Sequence, residues 1–328
     1  VIQRLVSELG IHRAKLPGRL AQPASVRLNE RTARAAAAPA TGVTRPARPA
    51  AGTADARRRY LVHVAVLALI RAKRRLQDLS TDAYVLSYPK CGRTWLRLML
   101  GRVLQRHFEL AEVPLLEVER FGHYCGDIPR LQFTHDNDPC IRHHSRLQEN
   151  KGRYRHKPVV LLVREPKDTA VSMYFQFLKR DRIIDRTLSQ FMLGERGGIK
   201  SIVEFYNMWG RQLDNGMNIL LVRYEDMYAD TLTELRRVVD FIGLKTIPDE
   251  TLAEAVAYAS FDRMQYMERA DVLHSFRMTP GDPTDPESYK IRKGRVGGHT
   301  DYLEPADIAA ADRWITDHLA PVFGYGQR

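Results

Sequence analysis

The chain has 328 residues, 44% of them hydrophobic and 27% charged, an ordinary globular balance with room for a sizeable core in one large domain or two small ones. Its net charge of +12 is uneven: 12 Lys+Arg stand against 3 Asp+Glu up to Arg59 and 39 against 36 beyond it, so the globular part is near neutral and argues against nucleic-acid binding. Three cysteines, Cys91, Cys125 and Cys140, exclude a disulfide framework and make a reducing compartment, the cytoplasm, the expected location.

Residues 1–55 form a basic leader rich in Ala, Arg and Pro. It offers few large apolar residues, so disorder is expected. Its Arg-rich, acid-poor composition also resembles a transit peptide. Residues 56–328 are read as one domain. The apolar run "YLVHVAVLALI" (60–70) falls short of the roughly 20 residues a membrane span needs. It reads as an amphipathic helix, with "RAKRR" after it as the only hint of a membrane surface.

"AYVLSY" from Ala83 reads as a buried strand and "TWLRLMLGRVLQRHF" as a helix. "LQFTH" at 131–135 is a short strand. "PVVLLVRE" is a strong buried strand, followed by a helix from about Asp168 to Leu178. "IVEFYNMWGRQL" is a helix, "NILLVRYED" another strand and "DTLTELRRVVDFIGL" a helix. Residues 276–303 are rich in Pro, Gly and Asp and read as loop, and "PADIAAADRWITDHLAPVF" closes the chain as a helix. Apolar strands alternating with helices predict a three-layer α/β/α domain around a mostly parallel sheet.

Three segments carry candidate chemistry. "YPKCGRTW" places Lys90, Cys91, Gly92, Arg93, Thr94 and Trp95 at a strand-to-helix turn, where free N–H groups and the helix dipole favour an anion. The lysine precedes the glycine, so the Walker order is absent. "LLVREPKDTAVS" puts Arg164 at a strand end and Ser172 in the next helix, facing the crevice where open α/β sheets take ligands. "YKIRKGRVGG" clusters Arg292, Lys293 and Gly294, cations and a glycine that suit a phosphate. Each segment taken alone is also compatible with an ordinary solvated turn or loop.

In this order, and joined by "RYEDM" at 223–227 and "SFDRM" at 260–264, the segments resemble the nucleotide-dependent sulfotransferases over about residues 80–328. That resemblance implies a P-loop-like sulfotransferase fold and 3′-phosphoadenosine 5′-phosphosulfate (PAPS) as donor, with no metal. It implies that Lys90 reaches the bridging oxygen of the phosphosulfate and that Gly92, Arg93 and Thr94 hold the 5′-phosphate. Trp95 and Phe261 lie against adenine by the same resemblance. Arg164 and Ser172, with Arg292, Lys293 and Gly294, take the 3′-phosphate. His135, after the strand "LQFT", becomes the general base, an imidazole of suitable pKa near neutrality. His123, His143 and His144 are its rivals. His143 and His144 are adjacent, and on a helix or strand they point apart.

The pattern departs from the family's common form at several positions. Cys91 stands for a serine, as a passive replacement or a redox-sensitive thiol. Arg93 stands for a threonine, adding charge beside the 5′-phosphate. Phe133 stands where cytosolic members carry a lysine, leaving Lys90 more responsible for the departing charge. Ala259 stands where a hydroxyl touches adenine. The sulfuryl acceptor is a hydroxyl, or else an amine, of a small molecule, lipid or saccharide, expected between residues 109–150 and a lid at 267–291, with Phe121, Tyr124 and Phe175 as lining. A P-loop kinase or ATPase, with "RYED" supplying a magnesium-binding acid, and a basic nucleic-acid-binding or scaffold protein are the competing functions. Oligomeric state is not fixed by the sequence.

Overall fold

The computed structural model describes residues 75–326, together with Leu69 and Ala72. The leader (1–55) and most of the apolar run at 60–70 lie outside the described residues. The chain divides between Leu69 and Ile70, and the larger unit, 70–328, carries all that follows.

Four strands form one parallel sheet: β1 (Ala83–Ser87), β2 (Leu131–Thr134), β3 (Val159–Val163) and β4 (Ile219–Arg223), in the order β2-β1-β3-β4. β1 and β3 are buried along their whole length, as the unbroken runs AYVLS and VVLLV require of strands covered on both faces. Covering helices are α1 (Arg93–His107), α2 (Pro166–Phe175), α3 (Leu188–Met192), α4 (Ile199–Asp214), α5 (Tyr224–Ala229), α6 (Thr231–Phe241), α7 (Asp249–Tyr258), α8 (Phe261–Arg269) and α9 (Pro305–His318). α1 packs with α6 and α7, while α2, α3, α4 and α9 pack with one another. These two groups are the outer layers of the α/β/α sandwich.

Strand order fixes where a ligand can enter. The chain leaves β1 for β2 on one side, then crosses back to β3 on the other, so the order reverses between β1 and β3. A crevice opens at such a reversal, outside the carboxyl ends of the strands. The loop after β1 carries Lys90 and the end of β3 carries Arg164. β2 pairs β1 with Leu86 opposite Thr134, which brings the following residue, His135, to the same end of the sheet.

Every strand read from the sequence is present, with small shifts at the ends. α2 runs on as a π-helical turn over Gln176–Arg180. α7 and α8 were not foreseen: their apolar positions are sparse, with only Leu252 and Ala255 buried in α7 and only Met264, Met267 and Glu268 in α8. The 276–303 stretch is loop, as expected, punctuated by 3₁₀ turns at Phe276–Met278, Pro286–Ser288 and Gly298–Asp301. No helix among the described residues is long and apolar enough to cross a membrane.

Candidate active site

Gly92 caps α1 with φ 90, a left-handed conformation that favours glycine. A Cβ there would lie 2.7 Å from Tyr224 Cδ2, so the turn and the Tyr224 ring fit only with a hydrogen at that position. Lys90 also adopts a positive φ, 76. The backbone N–H groups of Gly92, Arg93 and Thr94 make no hydrogen bond among the described residues, which leaves donors at the positive end of a fifteen-residue helix and suits an anion. The Lys90 ammonium donates to Gln176 Oε1 at 3.2 Å, so the π turn after α2 aims it. Burial, and then the neighbouring Lys290, Arg180 and Arg292, hold its pKa well below the usual lysine value.

The 3′-phosphate candidates lie beside this loop. Arg164 donates from Nη1 to the Lys90 carbonyl at 3.4 Å and from Nη2 to the Arg295 carbonyl at 3.0 Å. Its guanidinium stacks on Tyr224, 4.4 Å from the ring centroid, and its Nε is buried with no partner. Ser172 is half-buried in α2. Asp168 ties in the third segment by accepting from the N–H of Gly297 and His299 and from His299 Nδ1, each at 2.8 Å. Gly294, φ 58, lies against Phe261: a Cβ would come within 2.1 Å of Phe261 Cδ2. Trp95 meets Tyr224 edge-on at 5.8 Å. Lys90, Arg164, Gly294, Phe261 and Trp95 are thus joined by a short chain of direct contacts.

Two cations of the third segment are partly committed elsewhere. Arg292 pairs with Glu287 at 2.9 Å, bonds the Tyr302 hydroxyl and stacks on Phe175 at 4.3 Å. Lys293 is exposed and 3.9 Å from Asp301.

His135 is held on two sides. Its Nδ1 lies 2.9 Å from the Ser87 carbonyl, which can only accept, so Nδ1 carries the proton. Nε2 faces Arg93 Nη2, which can only donate. That arrangement leaves Nε2 unprotonated, the tautomer a general base needs. Burial first, and the Arg93 charge second, push the imidazole well below its ordinary pKa. Three successive left-handed residues follow, Asp136, Asn137 and Asp138 with φ 50, 69 and 55. A buried ion pair, Lys151 with Asp136, and a bond from the Tyr154 hydroxyl to Asp136 at 2.9 Å hold this turn in place.

Some expectations change. The Arg93 side chain turns to the base; it is not held beside the loop's N–H groups. Cys91 is buried and contacts the Tyr206 hydroxyl at 3.3 Å, and burial pushes its thiol up to about 11, which makes it a packing residue and not a redox sensor. His143 and His144 do not point apart: their rings stack at 4.7 Å, because extended His143 precedes a 3₁₀ turn, and both face Glu195. His123 is exposed. Phe121 is fully buried core and not pocket lining, and Phe175 lies beneath Arg292. Sequence reasoning missed Tyr224 as the hub between Gly92, Trp95 and Arg164, Gln176 as the partner of Lys90, and Glu268. Glu225, the acid a kinase would aim at magnesium, accepts from the Glu165 N–H at 2.8 Å and the Tyr325 hydroxyl at 2.6 Å, so it serves the scaffold.

These features are those of a nucleotide-linked group-transfer enzyme on a parallel α/β sheet. Residues 80–323 match the family model of the sulfotransferase domain, so the chain belongs to that family and is a sulfotransferase. It is 25% identical over 266 residues to a 3-alpha-hydroxysteroid sulfotransferase of Cavia porcellus, covering 78% of this chain and 88% of the relative. It is 26% identical over 262 residues to a flavonol 3-sulfotransferase of Flaveria bidentis, covering 73% and 81%. Mouse sulfotransferase SULT7A1, solved as a complex with PAP, shares the fold at a TM-score of 0.52 and 22% identity, covering 73% of this chain and 84% of that one.

Proposed function

We propose that the enzyme moves a sulfuryl group in line from PAPS to a hydroxyl of a small-molecule, lipid or saccharide acceptor, with His135 as general base and Lys90 as the cation beside the departing phosphate. The observation that carries this reading is the orientation of His135: its Nδ1–H is fixed on Ser87, at the end of the strand whose loop bears Lys90, and its Nε2 lone pair is kept for a proton. The relatives' titles, which name a steroid and a flavonol, support a small hydroxylated acceptor. Three free thiols support a reducing, cytoplasmic setting.

PAPS supplies the sulfuryl group and, as its bond to phosphate breaks, a growing negative charge. Lys90 stabilises that charge more in the transition state than in the ground state. A charge pair at 4 Å in an effective dielectric of 20 is worth about 4 kcal/mol, an upper guide of about a thousandfold in rate. The N–H groups of Gly92, Arg93 and Thr94 hold the 5′-phosphate. Arg164, through its unpartnered Nε, and Ser172 hold the 3′-phosphate, with Arg292, Lys293 and the Gly294 turn closing over it. Trp95, Tyr224 and Phe261 flank the adenine. The acceptor hydroxyl displaces Arg93 from Nε2 and passes its proton there as its oxygen meets sulfur. No metal has a role in this scheme.

The test pairs two variants with two measurements. Lys90→Ala lowers turnover by about a hundredfold or more and weakens binding of adenosine 3′,5′-bisphosphate less. His135→Ala abolishes turnover while calorimetry still reads the bisphosphate bound. Unchanged turnover in His135→Ala removes it as the base, and binding of ATP in preference to the bisphosphate removes the donor assignment.

A further inference from the structure

The charge around His135 exceeds what the donor needs. Lys290 lies within electrostatic reach of Lys90, His135, Arg93, Arg180 and Arg277, and Arg93 lies within reach of Arg97 and Arg277. The carboxylates reaching this ring are Glu117, Glu119, Asp138, Asp181 and Glu268. Four of them are committed: Glu117 pairs with Arg120 and Asp181 accepts from Gln176 Nε2. Glu119 pairs with Arg97. Glu268, fully buried, pairs with Arg180 at 3.4 Å and accepts from the N–H of Lys290 and Ile291 at 2.7 and 2.8 Å. Asp138 acts on Arg93 without cancelling the excess, since it is one acid facing three further cations.

Those three are Arg93, Lys290 and Arg277. Among the described residues none of them has a salt bridge, and the Lys290 ammonium has no hydrogen-bond acceptor. Arg93 Nη1 is buried with no partner, an orphaned donor inside the site. Burial and the adjacent Arg180 and Arg93 charges bring Lys290 down to about 7. Arg277 donates from Nε to the Leu116 carbonyl at 3.2 Å, and Arg97 donates to the same carbonyl at 3.0 Å. That shared acceptor ties the 267–291 loop to the 109–150 region, the two walls expected to enclose the acceptor. Lys90 answers the departing phosphate, with Lys290 beside it, and Arg164 the 3′-phosphate, which leaves Arg93 and Arg277 on the side of the base with nothing in the donor to neutralise them.

We infer that the acceptor is itself an anion, carrying a carboxylate, sulfate or phosphate group that Arg93, Lys290 and Arg277 bind while its hydroxyl faces His135. The inference rests on the sulfotransferase reading above and narrows its substrate class. Binding of the acid group draws Arg93 away from Nε2 by offering its guanidinium a charged partner, so the base is released only when a substrate of the right charge is present. An uncharged phenol or steroid leaves Arg93 on the base and the three cations without a counter-charge.

The test reads the donor site and the second anion site in sequence. Adenosine 3′,5′-bisphosphate is titrated first by calorimetry; failure to bind at this step overturns the donor reading itself. Inorganic sulfate is then titrated into the bisphosphate-saturated protein. A second site is expected, weakening as salt rises, and weakening about tenfold or more in each of Lys290→Gln and Arg277→Gln through loss of a charge-assisted bond. Bisphosphate affinity of the variants checks that they have folded. Arg277→Gln is decisive, because sulfate seated in the sulfuryl position beside Lys90 would not sense it. No sulfate binding to the saturated protein, or binding indifferent to Arg277→Gln, overturns the anionic acceptor while leaving the donor reading intact.

Discussion

His135 and Lys90 are both held, by burial and by neighbouring cations, in the less charged state. For His135 this is the working state: a neutral imidazole is available as base well below pH 6.5. The acid limb of kcat/KM against pH is therefore expected below the ordinary histidine value. Arg93→Met removes a positive charge from Nε2, so the imidazole's pKa rises and the acid limb moves to higher pH. An acid limb that stays in place in Arg93→Met counts against the Arg93–His135 contact as the cause. For Lys90 the lowering disfavours the charged state that catalysis needs, and an arriving anion opposes it. Binding of adenosine 3′,5′-bisphosphate is expected to take up protons at pH values above the lowered Lys90 pKa, as the ammonium is favoured again beside phosphate. Calorimetry in buffers of different ionisation enthalpy measures that uptake directly, and affinity falls as pH rises.

At the scale of the element, turns carry the strain and helices supply the donors. The α1 turn, the Asp136–Asp138 turn and the Gly294 turn all use left-handed backbone. Two of these are legible in sequence because glycine marks them. The third is not, since Asp-Asn-Asp signals a turn without saying that it sits on a buried ion pair. Lys151 and Asp136 are 4% and 5% exposed, so Asp136→Ala strands a buried ammonium and costs about 3–5 kcal/mol. Denaturant unfolding reads the loss, and a change under 1 kcal/mol would show that the pair is solvated in solution. Gly294→Ala forces φ 58 and a Cβ into the Phe261 ring, so bisphosphate affinity is expected to fall while secondary structure persists. The sequence disclosed strands and long helices because their apolar runs are unbroken. It hid α7 and α8, whose buried faces are narrow, and it hid Gln176, which reaches Lys90 only because α2 continues into a π turn.

Across the whole domain, one buried acid links the pieces that the donor must find together. Asp168 lies in the first turn of α2 after β3, touches Arg164, and receives Gly297 and His299 from the loop that follows Gly294. Local pattern gave no reason to single it out, because its partners are some 130 residues away in the chain. Order of motifs could foretell that the segments act as one site, but not which residue joins them. Burial raises the Asp168 pKa, yet the His299 hydrogen bond, Arg164 and the backbone donors outweigh it and leave the pKa lowered. A carboxylate lowered on folding stabilises the folded state above its unfolded pKa of about 3.9, and that contribution is lost as pH falls through the folded value. Asp168→Asn keeps the shape but removes the charge, so stability at pH 7 drops and its decline below pH 4 becomes shallower than in the parent. The same variant loosens the 295–301 loop, and hydrogen exchange there should quicken while β1 and β3 stay protected. Equal exchange in that loop for parent and variant would mean that Asp168 is a bystander and that the third segment is held by Arg292 and Glu287 instead.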